Sequence, residues 1–246
     1  MSGHSKWSNI QHKKGKTDLT RASVFTKLGK AITIAAQHGG GDPDINFSLR
    51  LAIEKAKSAN MPKDNIERAI SKGTGDGKDG EALQEVLYEG FGSGGVAMLV
   101  QAVTDNLNRT VSEVKYVFGK NNGTMGNSGS VKWQFDQKGV FLVSTEELAN
   151  KNIDKDDFSL HLMDAGVDDI RESIEGLEIL GPRESFQKIS EVVAESDIIL
   201  EDSGLQWVAK ETAEVDNEAC AQVEKLIEAL EELDDVDVVY TNLYDQ

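Results

Sequence analysis

The apolar residues of this chain change their spacing at one glycine-rich run, Gly75-Asp-Gly-Lys-Asp-Gly. Before the run they recur every three or four residues, which is the period of an amphipathic helix. After it, β-branched and apolar runs such as Val96-Ala-Met-Leu-Val alternate with helical stretches. Glycine and polar residues at this density are typical of a linker. The sequence therefore predicts a helical domain followed by a mixed helix and strand region.

Three short helices are predicted before the linker. The first carries an apolar stripe that ends at Gly39-Gly-Gly. The second, near residues 46–59, must end before Pro62, because proline disfavours helical geometry in the residue that precedes it. Pro62 can open the third helix, which is predicted to close at Gly73.

The region after the linker reads as two interleaved sets of strands and helices. Strands are predicted at 96–103, 131–135, 140–143, 169–173, 177–180, 198–200, 206–212 and 236–241, and helices at 108–118, up to 165, at 182–194 and at 216–233. The elements from 140 to 200 have the complete ferredoxin-like order β-α-β-β-α-β, and the flanking elements complete a second, interrupted set.

The predicted fold class is therefore α+β and multidomain: a small N-terminal three-helix domain followed by two ferredoxin-like α+β domains, one inserted in the other. The predicted domains are 1–76, a basic all-α domain with an N-terminal arm; 77–136 plus 204–246; and the inserted 137–203.

Positive charge is concentrated at the start of an otherwise acidic chain. The net charge is −17, yet residues 1–75 hold 13 Lys and Arg against 6 Asp and Glu, which leaves 13 against 37 in the remainder. Such asymmetry indicates a polyanionic partner for the basic segment. Aromatic and imidazole rings among the lysines can stack on bases while the cations neutralise phosphates. The predicted nucleic-acid contacts are Lys6, Trp7, His12, Lys13, Lys14, Lys16, Arg21, Lys27 and Lys30. A charged terminus that is merely solvated and poorly ordered is the alternative.

Five segments resemble one known family. They are Gly3-His-Ser-Lys-Trp-Ser-Asn-Ile-Gln-His-Lys-Lys-Gly-Lys, Phe25-Thr-Lys-Leu, Asn60-Met-Pro-Lys-Asp-Asn-Ile, Tyr88-Glu-Gly-Phe-Gly and Thr104-Asp-Asn-Leu-Asn-Arg-Thr. Together they closely resemble the YebC family of bacterial proteins, which has mitochondrial relatives. The resemblance implies three domains, a cytoplasmic location and a transcriptional regulator that binds DNA; for some relatives it implies work in translation on the ribosome. Two positions depart from the family pattern, which has proline where Ser93 stands and arginine where Leu107 stands.

The chain lacks the motifs of common catalytic and metal sites. Its histidines, His4, His12, His38 and His161, have neither a cysteine partner nor a helical i, i+4 pair, so no metal is expected. Gly90-Phe-Gly-Ser-Gly-Gly has the glycine spacing of a dinucleotide fingerprint, but a strand follows it instead of a helix. A glycine-rich hairpin or bulge between two strands is therefore predicted. No Gly-x-Ser-x-Gly elbow supports a Ser-His-Asp triad. We therefore expect neither enzymatic activity nor a cofactor.

Other conspicuous residues are interpreted as structural. Cys220 lies on an apolar helical stripe and is predicted in the core. Trp133 and Trp207, placed on predicted strands, are interpreted as packing residues. No apolar run approaches the roughly 20 residues that span a bilayer, so a cytoplasmic protein without a membrane partner is expected.

Arg109 is a predicted secondary contact. It follows Asn108, which we expect to cap the helix at 108–118. A cation in the first helical turn is unfavourable to the helix dipole, so its presence there indicates an external ligand.

These observations favour a non-enzymatic, nucleic-acid-binding regulator of gene expression, whose acidic domains orient the basic one or recruit a basic protein. The resemblance implies DNA as its target. A ribosome- or RNA-associated translation factor is the alternative, since the arm could follow the phosphate surface of ribosomal RNA equally well. An enzyme of unknown class is a remote third.

Overall fold

The computed structural model describes residues 21–75, 82–151 and 153–244. These residues form two compact units. One contains 21–75, 82–132 and 215–241, and the other contains 133–151, 153–214 and 242–244. Three helices are followed by two four-stranded antiparallel sheets with helices, which confirms the predicted α+β multidomain class.

Three helices open the described chain: α1 (Arg21–Gly39), α2 (Phe47–Ser58) and α3 (Lys63–Thr74). The side chain of Asn46 caps α2 by accepting a hydrogen bond from the Leu49 amide at 3.1 Å. Helix α3 does not close at Gly73 as predicted; it ends at Thr74, and Gly75 takes the left-handed conformation (φ 86°) that stops it. Gly73 instead lies where α3 crosses α1, and a Cβ there would collide with the Thr33 carbonyl oxygen.

The three helices share one apolar core. Its buried members come from each helix and from the turn before α3: Ile32, Ala36, Leu49, Ile53, Ala56, Met61, Ile66 and Ala69. Phe25 and Leu28, three residues apart on α1, pack partly buried against it. The helical period of the sequence thus identified the buried face.

The remaining elements fall between Gln84 and Thr241. The strands are β1 (Gln84–Phe91), β2 (Ala97–Thr104), β3 (Thr124–Met125), β4 (Phe135–Ser144), β5 (Asp169–Glu172), β6 (Gly176–Pro182), β7 (Asp202–Ala209) and β8 (Val236–Thr241). The helices are α4 (Leu107–Lys120), α5 (Thr145–Asn150), α6 (Lys155–Asp164), α7 (Phe186–Glu195) and α8 (Asn217–Glu231).

The first sheet has the strand order β3-β1-β2-β8, with α4 and α8 packed on it. β1 and β2 form an antiparallel hairpin joined through the glycine-rich segment at 92–95, so the hairpin predicted there is confirmed. The sequence analysis gave no residue range for β1, the strand that pairs with β2 in this hairpin. Phe118 and Leu226 are fully buried, as expected for the inward faces of the two helices.

The second sheet has the order β5-β6-β4-β7, which is the spatial order of a ferredoxin-like sheet. β7 pairs with β4 from Phe135↔Ala209 to Leu142↔Asp202. The prediction that the strand at 206–212 completes the first sheet is therefore wrong. The strand predicted at 140–143 is part of a longer strand, β4, which begins at Phe135 and pairs with both β6 and β7. The strand predicted at 131–135 is wrong except at Phe135, because Lys132–Gln134 form a 3-10 turn. The domain division at 76, 136 and 203 stays a prediction.

Three further expectations differ from the structure. Residues 198–200 form no strand, although Ile198 is buried. Trp133 lies in a short 3-10 turn with 68% of its surface exposed, so it is not a core residue. Cys220 on α8 is half-buried instead of forming part of the core.

Helix α1 also packs against the first sheet. Ile34 of α1, Leu83 before β1 and Val103 of β2 form a buried apolar cluster. The basic helix is therefore held against the end of β2.

Candidate nucleic-acid interface

Most of the predicted contact residues lie outside the described chain. Lys6, Trp7, His12, Lys13, Lys14 and Lys16 all precede residue 21, and Arg21 is described only as the first residue of α1. Their role in binding nucleic acid stays a prediction.

Lys27 and Lys30 of α1 bind groups of the same chain. The Lys30 ammonium donates to Oδ1 of Asp235 at 2.6 Å and to the carbonyl oxygen of Asp234 at 2.9 Å. Lys27 donates to the carbonyl oxygen of Glu231 at 2.5 Å. A phosphate would have to compete with these acceptors, so the two lysines attach α1 to the end of α8 and to the turn that follows it.

Asp235 is the centre of a polar cluster that we call the Asp235 cluster: Asp235, Lys30, Thr104, Arg109 and Thr110. The Asp235 side chain is 6% exposed. Its Oδ2 accepts hydrogen bonds from Thr110 Oγ1 at 2.7 Å, Arg109 Nη2 at 2.7 Å and Thr104 Oγ1 at 3.1 Å. One carboxylate thus links α1, the end of β2, the start of α4 and the turn before β8.

The electrostatics of the cluster keep Asp235 ionised. Burial alone would raise the pKa of this carboxyl, but hydrogen bonds from Lys30, Arg109 and Thr110 hold it well below its usual value of 3.8. The pKa of Arg109 is raised by its hydrogen bonds to Asp235 and Asp105. The negative charge also contributes to a raised pKa of the Tyr88 hydroxyl, for which burial is the larger cause.

Arg109, predicted as a secondary contact, has partners within the chain. Besides Asp235, its Nη2 binds Asp105 Oδ1 at 2.9 Å. The helix cap was also misplaced by two residues: Asn106, not Asn108, accepts from the Arg109 amide, at 3.1 Å. The sequence argument missed the principal partner because Asp235 lies 126 residues along the chain. External contact by Arg109 stays untested.

A second group of cations was not singled out by the sequence analysis. Arg68 and Lys72 are exposed on α3, at the i, i+4 spacing that places both on one face. They line an open cleft of about 400 Å³ together with Phe25 and Gly29 of α1 and Asn65 of α3. We call it the α1–α3 cleft; Met61, Leu83 and Asp105 also line it. The sequence shows the i, i+4 spacing of Arg68 and Lys72, but it does not show the cleft, which depends on how α1 and α3 cross.

The described part of the chain offers two negative findings. None of its helices has the length and apolar composition needed to cross a lipid bilayer. Within the same ranges, no three His, Cys, Asp or Glu side chains converge in a way that could hold a metal ion.

Comparison with known proteins places most of this chain in one family. The model of the TACO1/YebC protein N-terminal domain matches residues 5–76, and the model of the TACO1/YebC second and third domain matches residues 83–243. The chain belongs to the TACO1/YebC family. The resemblance to YebC proteins noted in the sequence is thereby confirmed.

Individual TACO1/YebC relatives match over nearly their full length. A protein of Syntrophomonas wolfei named "Probable transcriptional regulatory protein" is 44% identical over 245 residues, covering 99% of this chain and 96% of the relative. One of the same descriptive name from Geobacter sulfurreducens is 45% identical over 242 residues, covering 98% and 95%. The crystal structure of a conserved hypothetical protein from Aquifex aeolicus superposes with a TM-score of 0.86 at 40% identity, covering 97% of this chain and 96% of that one.

In this TACO1/YebC protein, the segments that carry the resemblance have identifiable positions. Phe25 and Asn65, from two of those segments, line the α1–α3 cleft. Glu89, from a third, is 4% exposed on β1, and its carboxylate accepts hydrogen bonds from the amides of Gly129, Val131 and Lys132 at 2.6–2.8 Å. Burial would raise the Glu89 pKa, but these amides hold it below its usual 4.5. Glu89 therefore fixes the loop before β4.

Proposed function

We propose that this protein is a non-enzymatic, nucleic-acid-binding regulator of gene expression that contacts phosphates through its basic N-terminal domain, with duplex DNA as the leading target in the cytoplasm. The observation that carries the proposal is the charge distribution. Residues 1–75 hold 13 cationic against 6 acidic residues, while the remainder holds 13 against 37. Only the N-terminal segment can approach a polyanion without net repulsion.

The arm carries the main part of the proposed interface. Since Lys27 and Lys30 are engaged with groups near Asp235, the phosphate contacts are assigned first to Lys13, Lys14 and Lys16, with Lys6, Trp7, His12 and Arg21 beside them. Contacts of this kind position a protein on nucleic acid without reading its sequence. The names of the relatives, which describe transcriptional regulators, support the regulatory role.

The acidic remainder favours a second candidate, a ribosome-associated translation factor. A net charge of −24 outside residues 1–75 opposes wrapping a long duplex around the molecule, but it suits contact with basic proteins. In this role the arm would follow ribosomal RNA, whose irregular shape is recognised through phosphates and unpaired bases.

Sedimentation of the full-length protein from a lysate separates the two targets. If duplex DNA is the target, DNase releases the protein from the nucleic-acid fraction and RNase does not. Sedimentation with ribosomes that survives DNase and is lost after RNase selects the translation role instead. Recovery only in the unbound fraction, with or without nuclease, would contradict both.

A further inference from the structure

The α1–α3 cleft is of a size that suits a ligand. Its volume of about 400 Å³ falls in the range of roughly 300–1,000 Å³ in which small molecules bind. It lies in the compact unit that contains the basic helices, between α1, α3 and the residues that flank the first hairpin, Leu83 and Asp105. Neither the charge argument nor the family names assign it a role.

One wall of the cleft is cationic. Arg68 and Lys72 are exposed, and among the described residues neither forms an ion pair, in contrast to Lys30, which binds Asp235. The acid at the rim, Asp105, is itself paired with Arg109 at 2.9 Å. The two α3 cations therefore have the geometry and the charge to hold one phosphate group.

The rest of the lining is mixed: it contains Phe25, Met61, Asn65, Thr26, Thr33 and Lys30, the last of which binds Asp235. Phe25 is half-buried and Met61 is buried, both packed against the helical core, so each presents a supported apolar surface to the cleft. The half-buried Asn65 side chain has both donors and an acceptor. An aromatic ring beside a hydrogen-bonding amide suits an unstacked base better than it suits an inorganic anion.

Gly29 keeps the cleft open. It lies inside α1, where glycine is unfavourable to the helix, yet a Cβ built at this position meets no atom within 4 Å. A side chain could therefore be accommodated by the fold, and it would occupy or border the cleft.

We propose that the α1–α3 cleft binds one unpaired nucleotide of the nucleic acid that the basic domain contacts, with its phosphate at Arg68 and Lys72 and its base against Phe25 and Met61. Asn65 lies where it can hydrogen-bond the base edge. This inference rests on the proposed function, and it adds a preference for unpaired over fully paired nucleic acid that phosphate contact alone does not produce.

The test measures binding of the full chain to two labelled 20-base-pair duplexes by fluorescence anisotropy, one fully paired and one with a single unpaired nucleotide at its centre. Both duplexes are made in DNA and in RNA, so the comparison also shows which polymer supplies the nucleotide. The bulged duplex is expected to bind about tenfold tighter than the paired one in at least one polymer.

Substitutions in the cleft test whether it is the source of the preference for the bulged duplex. Gly29→Glu adds a carboxylate to the lining beside two cations, and it is expected to abolish the tenfold preference. Gly119→Glu is the matched control, because Gly119 is an exposed helical glycine whose added Cβ also meets nothing within 4 Å, outside the cleft lining; it should retain the preference. Arg68→Gln with Lys72→Gln tests the cleft through exposed residues if Gly29→Glu proves unfolded in a melting experiment.

The outcomes are separable. Tight binding of both duplexes with equal affinity in DNA and in RNA overturns the cleft proposal and leaves the proposed function standing. A preference that survives both Gly29→Glu and the double α3 variant moves the nucleotide out of this cleft and likewise overturns the proposal. If the protein binds a free nucleoside monophosphate but shows no preference for the bulged duplex, the ligand of the cleft is a small molecule, and the proposal of a polymer nucleotide is overturned. Absence of binding to every duplex contradicts the proposed function itself.

Discussion

At the scale of single residues, Asp235 is the side chain on which the attachment of α1 depends. Asp235→Asn keeps the shape of the side chain but removes the charge that Lys30 and Arg109 share. Since hydrogen bonds to charged groups each contribute about 1.5–3 kcal/mol, we expect a loss of stability of about 2–3 kcal/mol. The control is Glu232→Gln, which removes one exposed charge nearby. Equal unfolding free energies for the two variants would mean that the Asp235 cluster does not stabilise the fold.

Glu89 leads to a prediction about pH. Its pKa is lowered in the folded protein, so its contribution to stability is present above its unfolded value near 4.5 and is lost as the pH falls through the lower, folded value. Glu89→Gln should therefore lower the free energy of unfolding by about 1–3 kcal/mol at pH 7. The substitution replaces one of the two carboxylate oxygens, which accept hydrogen bonds from three backbone amides, by an NH2 group that cannot accept. Urea unfolding measured from pH 7 to pH 3 should show that the difference in unfolding free energy between the wild type and Glu89→Gln becomes smaller below about pH 4.5. A difference that stays constant to pH 3 would contradict this role for the carboxylate.

At the scale of elements, the close crossing of α1 and α3 leads us to predict an effect of Gly→Ala opposite to the one expected from helix propensity. In an ordinary helix interior, Gly→Ala is stabilising by about 0.5–1 kcal/mol. At Gly73 the new methyl group would meet the Thr33 carbonyl and lie 2.7 Å from the Ala36 Cβ, so Gly73→Ala should lower the melting temperature. Gly29→Ala, with nothing within 4 Å, should raise it. If both variants shift in the same direction, α1 and α3 are not packed as described.

The elements that the sequence predicted are those whose signals are local. The helix near 46–59 was recognised from its apolar spacing and from Pro62, and α8 from a stripe of apolar residues that is buried in the structure. The helix cap at Asn108 and the end of α3 at Gly73 were off by one or two residues, because neighbouring polar and small residues compete for such positions.

What could not be predicted depends on pairing between distant segments. Residues 206–212 have a strand pattern, but nothing in that pattern states that β7 pairs with β4 instead of completing the first sheet. Likewise, Lys30 and Arg109 read as free cations in the sequence, since Asp235 lies more than 120 residues away from both. The cleft between α1 and α3 required the crossing of two helices, which single-helix periodicity does not report.

At the scale of the whole molecule, the account depends on the separation of charge along the chain. If about five cations of the basic domain meet phosphates, the logarithm of the binding constant should fall with the logarithm of salt concentration with a slope of about −4 to −5 for duplex DNA. The acidic remainder adds no favourable term to this binding, so the slope should depend on the N-terminal cations alone. A constant affinity across salt concentrations would mean that the positive charge serves another purpose.

The central claim is tested most directly by that salt slope, measured on the full chain and on the variant in which Lys13, Lys14 and Lys16 are all alanine. The arm variant should bind duplex DNA more weakly at low salt, with a slope shallower by about 2–3 and an unchanged melting temperature. A control variant removes the same charge from three exposed lysines outside the basic domain, Lys115, Lys188 and Lys225, and should keep the wild-type slope. Wild-type affinity and slope in the arm variant, or an equal loss in the control, would contradict the claim that the basic N-terminal domain is the nucleic-acid interface.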